Sequence, residues 1–66
     1  MKIRYDKEVD ALYIDLLDIP SLESEEIAPG IIVDYSEDGR IVGIEILNAS
    51  QKLQEISGLT DIKKAA

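Results

Sequence analysis

Two apolar runs on either side of Gly39 constrain this chain more than any other feature of its sequence. The first run covers 31–35 and the second covers 40–47, and both are rich in isoleucine and valine, residue types that favour β-strands. A glycine between two such runs supplies the positive φ angle that tight hairpin turns require. The pattern therefore predicts an antiparallel hairpin that turns at Gly39.

The alternation of side chains also predicts the register of this hairpin. A turn with an even number of residues, either Asp38-Gly39 or the four residues 36–39, brings six large apolar side chains to one face. These side chains are Ile31, Val33, Tyr35, Val42, Ile44 and Ile46. A three-residue loop would set Gly43 and Glu45 opposite the first run and mix the faces. We therefore expect an even turn and prefer the four-residue loop.

The same stretch also matches the ligand pattern of a helix-flanked calcium loop. Asp34, Ser36, Asp38 and Glu45 would stand at loop positions 1, 3, 5 and 12, with Gly39 at position 6. Such a loop needs a helix on each side to direct its oxygen atoms to one point. The flanks here are β-branched and carry no helical stripe, and the residue at position 9 has no oxygen ligand. We therefore expect a hairpin without a metal site, with calcium binding through 34–45 as the alternative function.

The first half of the chain contains three further strand candidates. Residues 2–6 alternate between polar and apolar types, which is typical of a strand. Residues 11–17 alternate in the same way, and a strand fits them better than the helix that their apolar spacing also allows. Residues 22–28 contain three glutamates and are either an edge strand or a loop, because charge on an edge strand discourages pairing with other chains.

A helical pattern follows the last strand, over about 49–57. Asn48 is a suitable N-cap residue, and Gln51 stands where a capping-box partner is expected. The apolar stripe of this helix consists of Ala49, Leu53 and Ile56. Gly58 fits the C-terminal cap, and the tail 63–66 is expected to fray. The sequence thus predicts one small α+β domain over 1–66: an antiparallel four- to five-stranded meander over about 2–47 with one C-terminal helix packed on a face.

Composition limits the classes of function. The 66 residues include 14 acidic and 7 basic side chains, and a net charge of −7 repels nucleic acid and anionic membranes. No apolar run is long enough for a membrane span or a signal peptide, so we expect a cytoplasmic protein. The charge suits a basic protein partner. A chain this short has a thin core and contains no cysteine for a disulfide, so we also expect self-association, with a dimer favoured.

Other side chains with functional potential have simpler structural interpretations. Without histidine or cysteine, the chain lacks the usual general base and the strongest nucleophile. The residues that remain are carboxylates suited to magnesium, tyrosines suited to acid–base work, and two serines. They are Asp6, Asp10, Asp15, Tyr5, Tyr13, Tyr35, Ser50 and Ser57. We interpret them as turn, strand-packing and helix residues, and predict no enzyme activity, no cofactor and no catalytic or metal site. A small enzyme that works with carboxylates and tyrosines alone is the second alternative function.

An apolar patch is expected on the outer side of the sheet. The predicted hairpin register puts Ile32 and Ile41 on that side, with Tyr13 as a third member. Such a patch is typical of an interface, but scattered apolar side chains are also normal on protein surfaces. Both interpretations stay open at this point.

Four segments of the chain, in order, carry a family resemblance. They cover residues 3–6, 10–14, 28–35 and 38–47. The chain resembles a family of short prokaryotic proteins known only as domain of unknown function 2283. The resemblance implies a small sheet-plus-helix fold with no established activity, and the toxin-type neighbours of some members suggest that it neutralises such a partner. Val9 departs from the family pattern, which has a smaller or polar residue there.

Overall fold

Five antiparallel strands form one sheet, and a helix follows them. The computed structural model describes residues 1–55 of the chain. The strands are β1 (Lys2–Asp6), β2 (Ala11–Asp15), β3 (Glu23–Ala28), β4 (Ile31–Tyr35) and β5 (Ile41–Leu47). Helix α1 begins at residue 49 and continues through 55, the last residue described. The predicted α+β class is confirmed, and so are the strand interpretation of the second segment and the edge-strand interpretation of the third.

The strand order in the sheet is β1-β2-β5-β4-β3. It combines the hairpin β1–β2 with the meander β3–β4–β5, and the pairing of β2 with β5 joins the two. The link between β2 and β3 explains this order. Leu16 N and Leu17 N both donate to Val42 O, at 2.8 and 3.1 Å, and Leu22 N donates to Tyr35 O at 2.7 Å. The link therefore passes the ends of β5 and β4 and brings β3 to the far edge of the sheet.

Ser36 and Arg40 close the turn between β4 and β5 around three residues, 37–39, so the predicted even-numbered turn is wrong. Ser36 N donates to Arg40 O at 2.9 Å, and Gly39 N donates to Ser36 O at 3.0 Å. These bonds enclose residues 37–39 in a tight turn, and Gly39 has a φ of +84°. A three-residue loop of this kind requires a left-handed residue at its third position, which glycine adopts without steric cost.

A β-bulge in β5 restores the predicted pairing from Gly43 onward in spite of the odd loop. Val33 pairs with Ile44, as expected, but the register shifts after Asp34, and Tyr35 pairs with Ile41. Val42 is the extra residue of the bulge. One additional residue offsets the odd loop, because a bulge sets two residues against one on the neighbouring strand.

Cross-strand pairing divides the sheet into two faces. We call the side with Val33 and Ile44 the apolar face; pairing adds Ile3, Tyr5, Leu12, Ile14, Ile31 and Ile46 to it. We call the other side the polar face, and it includes Arg4, Tyr13, Asp15, Asp34 and Glu45. This division is the alternation that a half-covered antiparallel sheet requires.

The core is thin. Its buried apolar residues in the described part of the chain are Ala11, Val33, Ile46 and Ala49. Two of these are alanines, and no large side chain among residues 1–55 is fully enclosed. Ile3 and Tyr5, on the apolar face of β1, are 59% and 54% exposed. The sheet therefore leaves apolar surface uncovered at its β1 side.

Helix α1 docks through its first turn. Ala49 is fully buried and Ala49 N donates to Asp10 O at 2.9 Å, whereas Leu53 is 46% exposed. Ile56, Gly58 and the tail 63–66 lie outside the described residues. Over 1–55, no helix has both the length and the hydropathy to cross a membrane.

Candidate functional site

The side chains of the calcium-like segment are used inside the hairpin and its neighbours. Asp34 Oδ1 accepts a hydrogen bond from Ser24 Oγ across the β3–β4 ladder. Asp38 is bound by Ser36 and Arg40 at the turn. Within residues 1–55, no group of three Asp, Glu, His or Cys side chains is placed to hold a metal ion. The segment forms a hairpin, as the β-branched flanks predicted.

A compact polar cluster lies at the tip of this hairpin. The Ser36 hydroxyl donates to Asp38 Oδ1 and accepts from Arg40 N at 3.1 Å. Arg40 Nε lies 2.9 Å from Asp38 Oδ2. The Ser36 hydroxyl and then the Arg40 guanidinium lower the pKa of Asp38, because both stabilise the charged carboxylate. The cluster fixes the turn; the group that accepts the Ser36 hydrogen bond is a carboxylate of lowered pKa and therefore a weak base.

Asp10 joins the start of the helix to the sheet. Its Oδ1 accepts from the Tyr5 hydroxyl at 2.6 Å and from Ser50 N at 3.1 Å, and its Oδ2 accepts from Ser50 Oγ at 2.8 Å. The Tyr5 bond is the largest cause of the lowered pKa of Asp10, followed by the Ser50 hydroxyl. Asp10 therefore caps the first turn of α1, the role that the sequence predicted for Asn48 with Gln51.

The three aspartates considered for magnesium do not converge. Asp6 Oδ1 accepts from Glu8 N within the turn that follows β1. Asp15 pairs with Arg4, whose Nε lies 3.1 Å from Asp15 Oδ2. Asp6 and Asp15 stand at opposite ends of the β1–β2 ladder, and Asp10 is engaged by the helix. Each of the three carboxylates takes part in a hydrogen bond or ion pair of the fold, and Asp10 binds the helix rather than the turn where the sequence placed it.

A row of cross-strand contacts organises the polar face. The Arg4 guanidinium lies 5.1 Å from the centre of the Tyr13 ring, in a cation–π arrangement. Glu45 pairs with Tyr13 on the next strand and raises the pKa of the Tyr13 hydroxyl, by hydrogen bonding and by charge. Tyr13 is half-buried, as is Tyr35, while Tyr5 is more exposed. The row of contacts stabilises the surface of the sheet.

The predicted outer apolar patch does not form. Glu45 stands between Tyr13 and Ile32 in the sheet, since it pairs with both. The bulge pairs Ile41 with Tyr35, which moves Ile41 to the side of the apolar face. Ile32 is consequently separated from both residues that were expected beside it. The sequence could not show this, because a bulge changes parity without leaving a local signal.

Charge is distributed unequally between the two edges of the sheet. The β1 edge carries charges of both signs, Lys2, Arg4 and Asp6, while the β3 edge carries three exposed glutamates, Glu23, Glu25 and Glu26. Neither β3 nor its neighbour β4 contains a lysine or an arginine. These edges are the most distinctive surface feature of the described residues, and they form the candidate interaction site.

Comparison with known proteins identifies the family of the chain. No curated protein and no solved structure matches it. A family model described as "Protein of unknown function (DUF2283)" matches residues 2–50, which include all five strands and the start of the helix. The chain therefore belongs to this family of proteins of unknown function.

Proposed function

We propose that the protein is a non-catalytic interaction module of the cytoplasm that binds a basic protein through its β3 edge and associates with itself. The observation that carries the proposal is the acidic β3 edge. Glu23, Glu25 and Glu26 are all exposed there, with no basic side chain on the same strand or the next one. A surface of one charge sign attracts a partner of the opposite sign and raises the rate of association.

The backbone of β3 supports binding through side chains. The β3–β4 register shifts between Glu26 and Ala28, which interrupts the regular edge. Together with the glutamates, the shift disfavours strand addition by another chain. A partner that uses this edge would therefore place lysine and arginine side chains against the glutamates. A basic toxin-type protein, which the family resemblance suggests, has suitable chemistry.

The bonding of the polar side chains supports a non-catalytic role. The chain contains no histidine and no cysteine. Tyr5 and Ser50 both donate to Asp10 at the helix start, and Ser36 donates to Asp38 at the hairpin tip. These groups are engaged in bonds that stabilise the fold. An acyl- or phosphoryl-transfer enzyme would instead need a general base that can reach a nucleophile.

A charge-reversal experiment tests the basic-partner proposal. The triple variant Glu23→Lys/Glu25→Lys/Glu26→Lys is compared with the control Glu8→Lys/Asp18→Lys/Glu55→Lys, which changes three exposed acidic residues elsewhere by the same total charge. Each purified chain, with circular dichroism to verify folding, captures proteins from cells of its own source. We expect a basic protein, released by salt, to bind the native chain and the control but not the β3 variant.

Two results would contradict the proposal. Equal capture by both variants would show that the β3 edge is not the binding surface. If the native chain retains no protein, or only proteins without a net positive charge, the proposal of a basic partner is refuted.

A further inference from the structure

We infer that two copies of this chain pair through their β1 strands, antiparallel and centred on Arg4, to form a continuous ten-stranded sheet. The inference deepens the self-association part of the proposed function and is independent of the β3 edge. The sheet has two edges, β1 and β3. The shift near Ala28 and three charges of one sign protect β3, whereas β1 has no register shift and carries charges of both signs, which a second copy can match.

β1 is a regular and exposed edge strand. It pairs with β2 over five consecutive residues without a register shift, and all five of its residues are exposed. It contains no proline or glycine. Among residues 1–55, β2 is the only strand that pairs with it. Its outer backbone donors and acceptors are therefore oriented for a further strand, as in other complexes formed by strand addition.

The sequence of β1 is complementary to itself. An antiparallel pair related by a two-fold axis perpendicular to the sheet keeps each face on its own side, so residues of equal parity stand opposite each other. With the axis at Arg4, Lys2 of each copy faces Asp6 of the other, and Ile3 faces Tyr5. Two opposite-charge pairs and two apolar pairs result. Lys2 and Asp6 form no ion pair within the described residues, so both are available.

Neighbouring registers fit less well. An axis at Ile3 sets Lys2 against Arg4 of the other copy twice, and like charges directly opposite are destabilising. An axis at Tyr5 leaves only three residue pairs within the strands. The preferred register sets Arg4 of one copy opposite Arg4 of the other. The repulsion between these two charges is reduced, because each Arg4 is bound to Asp15 of its own chain at 3.1 Å and lies over the Tyr13 ring, toward β2 and away from the edge.

This pairing also covers exposed apolar surface. Ile3 is 59% exposed and Tyr5 is 54% exposed, both on the apolar face. Pairing sets Ile3 of each copy against Tyr5 of the other copy and makes the apolar faces of the two copies continuous. The apolar surface buried in this way would stabilise the dimer, as self-association often does for small domains with a thin core.

Charge-swap variants of the full chain test this interface. In the dimer, residue 2 of each copy faces residue 6 of the other copy. Lys2→Asp therefore sets two negative charges against each other in each of these pairs, and Asp6→Lys sets two positive charges against each other. Sedimentation equilibrium of the native chain, at low salt and up to about 1 mM, should show a species of twice the chain mass of 7.3 kDa. Each variant alone should dimerise on the order of tenfold more weakly, from two lost pairs and two new repulsions.

An equimolar mixture of the two variants gives the decisive measurement. Every Lys2→Asp strand then meets opposite charges on an Asp6→Lys strand, so the mixture should recover a dimer of native affinity. Lys7→Asp and Glu8→Lys, in the turn after β1, serve as controls because they make the same changes in net charge. Each control alone, and the mixture of both, should dimerise with the affinity of the native chain. Because Asp6 also accepts a bond from Glu8 N, circular dichroism must show that each variant is folded.

Three results would overturn the inference. The first is a native chain that remains monomeric over the whole concentration range. The second is a dimer that the charge swaps leave unchanged, or that their mixture fails to restore although both variants are folded. The third is open-ended assembly lost on Glu25→Lys, which would indicate β1–β3 contacts between copies. Capture of a basic protein by the β3 edge is measured separately, so either proposal can fail while the other stands.

Discussion

Replacement of Gly39 isolates the energetic cost of the backbone conformation at the hairpin turn. Gly39 has a φ of +84°, and apart from its chain neighbours no atom of residues 1–55 lies within 4 Å of the position that a Cβ atom would take. Gly39→Ala therefore adds no steric clash. A left-handed conformation costs an L-residue about 1–2 kcal/mol, and the reduced freedom of the unfolded chain returns about 0.4–1 kcal/mol. We expect a net loss of about 1 kcal/mol in the free energy of unfolding.

This loss is large for so short a chain. Globular proteins have about 0.05–0.15 kcal/mol of stability per residue, so the variant loses a substantial fraction of the total. The midpoint of thermal unfolding should fall by about 4–8 °C. Urea unfolding followed by circular dichroism measures the same change, and the m-value should stay constant because the buried surface is unchanged.

The mirror-image residue provides a matched control. D-alanine at position 39, introduced by chemical synthesis of the chain, adds the same methyl group but favours positive φ. It should be more stable than glycine by about 0.4–1 kcal/mol, because the unfolded state loses freedom and the folded state gains no strain. Equal stabilities of the L- and D-alanine chains would refute the reasoning, since the energy would then not come from the left-handed backbone. An L-alanine chain as stable as the native one would refute it as well.

Three further predictions concern the core, the central strand and the helix anchor. Ile46→Ala, at a side chain 8% exposed, should lower the free energy of unfolding in urea by about 2–4 kcal/mol, whereas Leu53→Ala, at a side chain 46% exposed, should cost less than about 1 kcal/mol. Gly43→Ala places a Cβ 3.1 Å from a backbone oxygen of β2 and should cost about 1 kcal/mol in the same assay, since the β2–β5 ladder holds that oxygen. The pKa of Asp10 is lowered from 3.8, chiefly by the Tyr5 hydroxyl, so its contribution to stability is present above about pH 4 and is lost as the pH falls through the lowered pKa. In an NMR titration of the Asp10 carboxyl group, Tyr5→Phe should return this pKa toward 3.8.

Each of these measurements can contradict the structure. Equal losses at positions 46 and 53 would mean that burial does not distinguish the two side chains. A stabilised Gly43→Ala chain would show that β2 yields to the added methyl group. An unchanged titration of Asp10 in Tyr5→Phe would remove the tyrosine from the helix anchor.

The candidate site was predictable only in part. The glutamates of β3 are consecutive or nearly so in the sequence, which indicates an acidic segment, but only the structure decides that this segment is an edge strand rather than a loop. The anchor at Asp10 could not, because its partner Ser50 lies 40 residues away and neither residue carries a distinctive local pattern. The cluster of Ser36, Asp38 and Arg40 is local, and the spacing of serine, aspartate and arginine around Gly39 is a signal that could have indicated it.

By itself, the sequence determined where four of the strands lie and that Gly39 turns between two of them, and it limited the segment with three glutamates to an edge strand or a loop. These properties depend on alternation, backbone sterics and charge, which act over a few residues. Only the tertiary structure decided that β2 pairs with β5, that a bulge at Val42 offsets an odd loop, and that Asp10 caps the helix. Those outcomes come from contacts between distant segments, whose free energies depend on the packing of the whole sheet rather than on any one stretch of sequence.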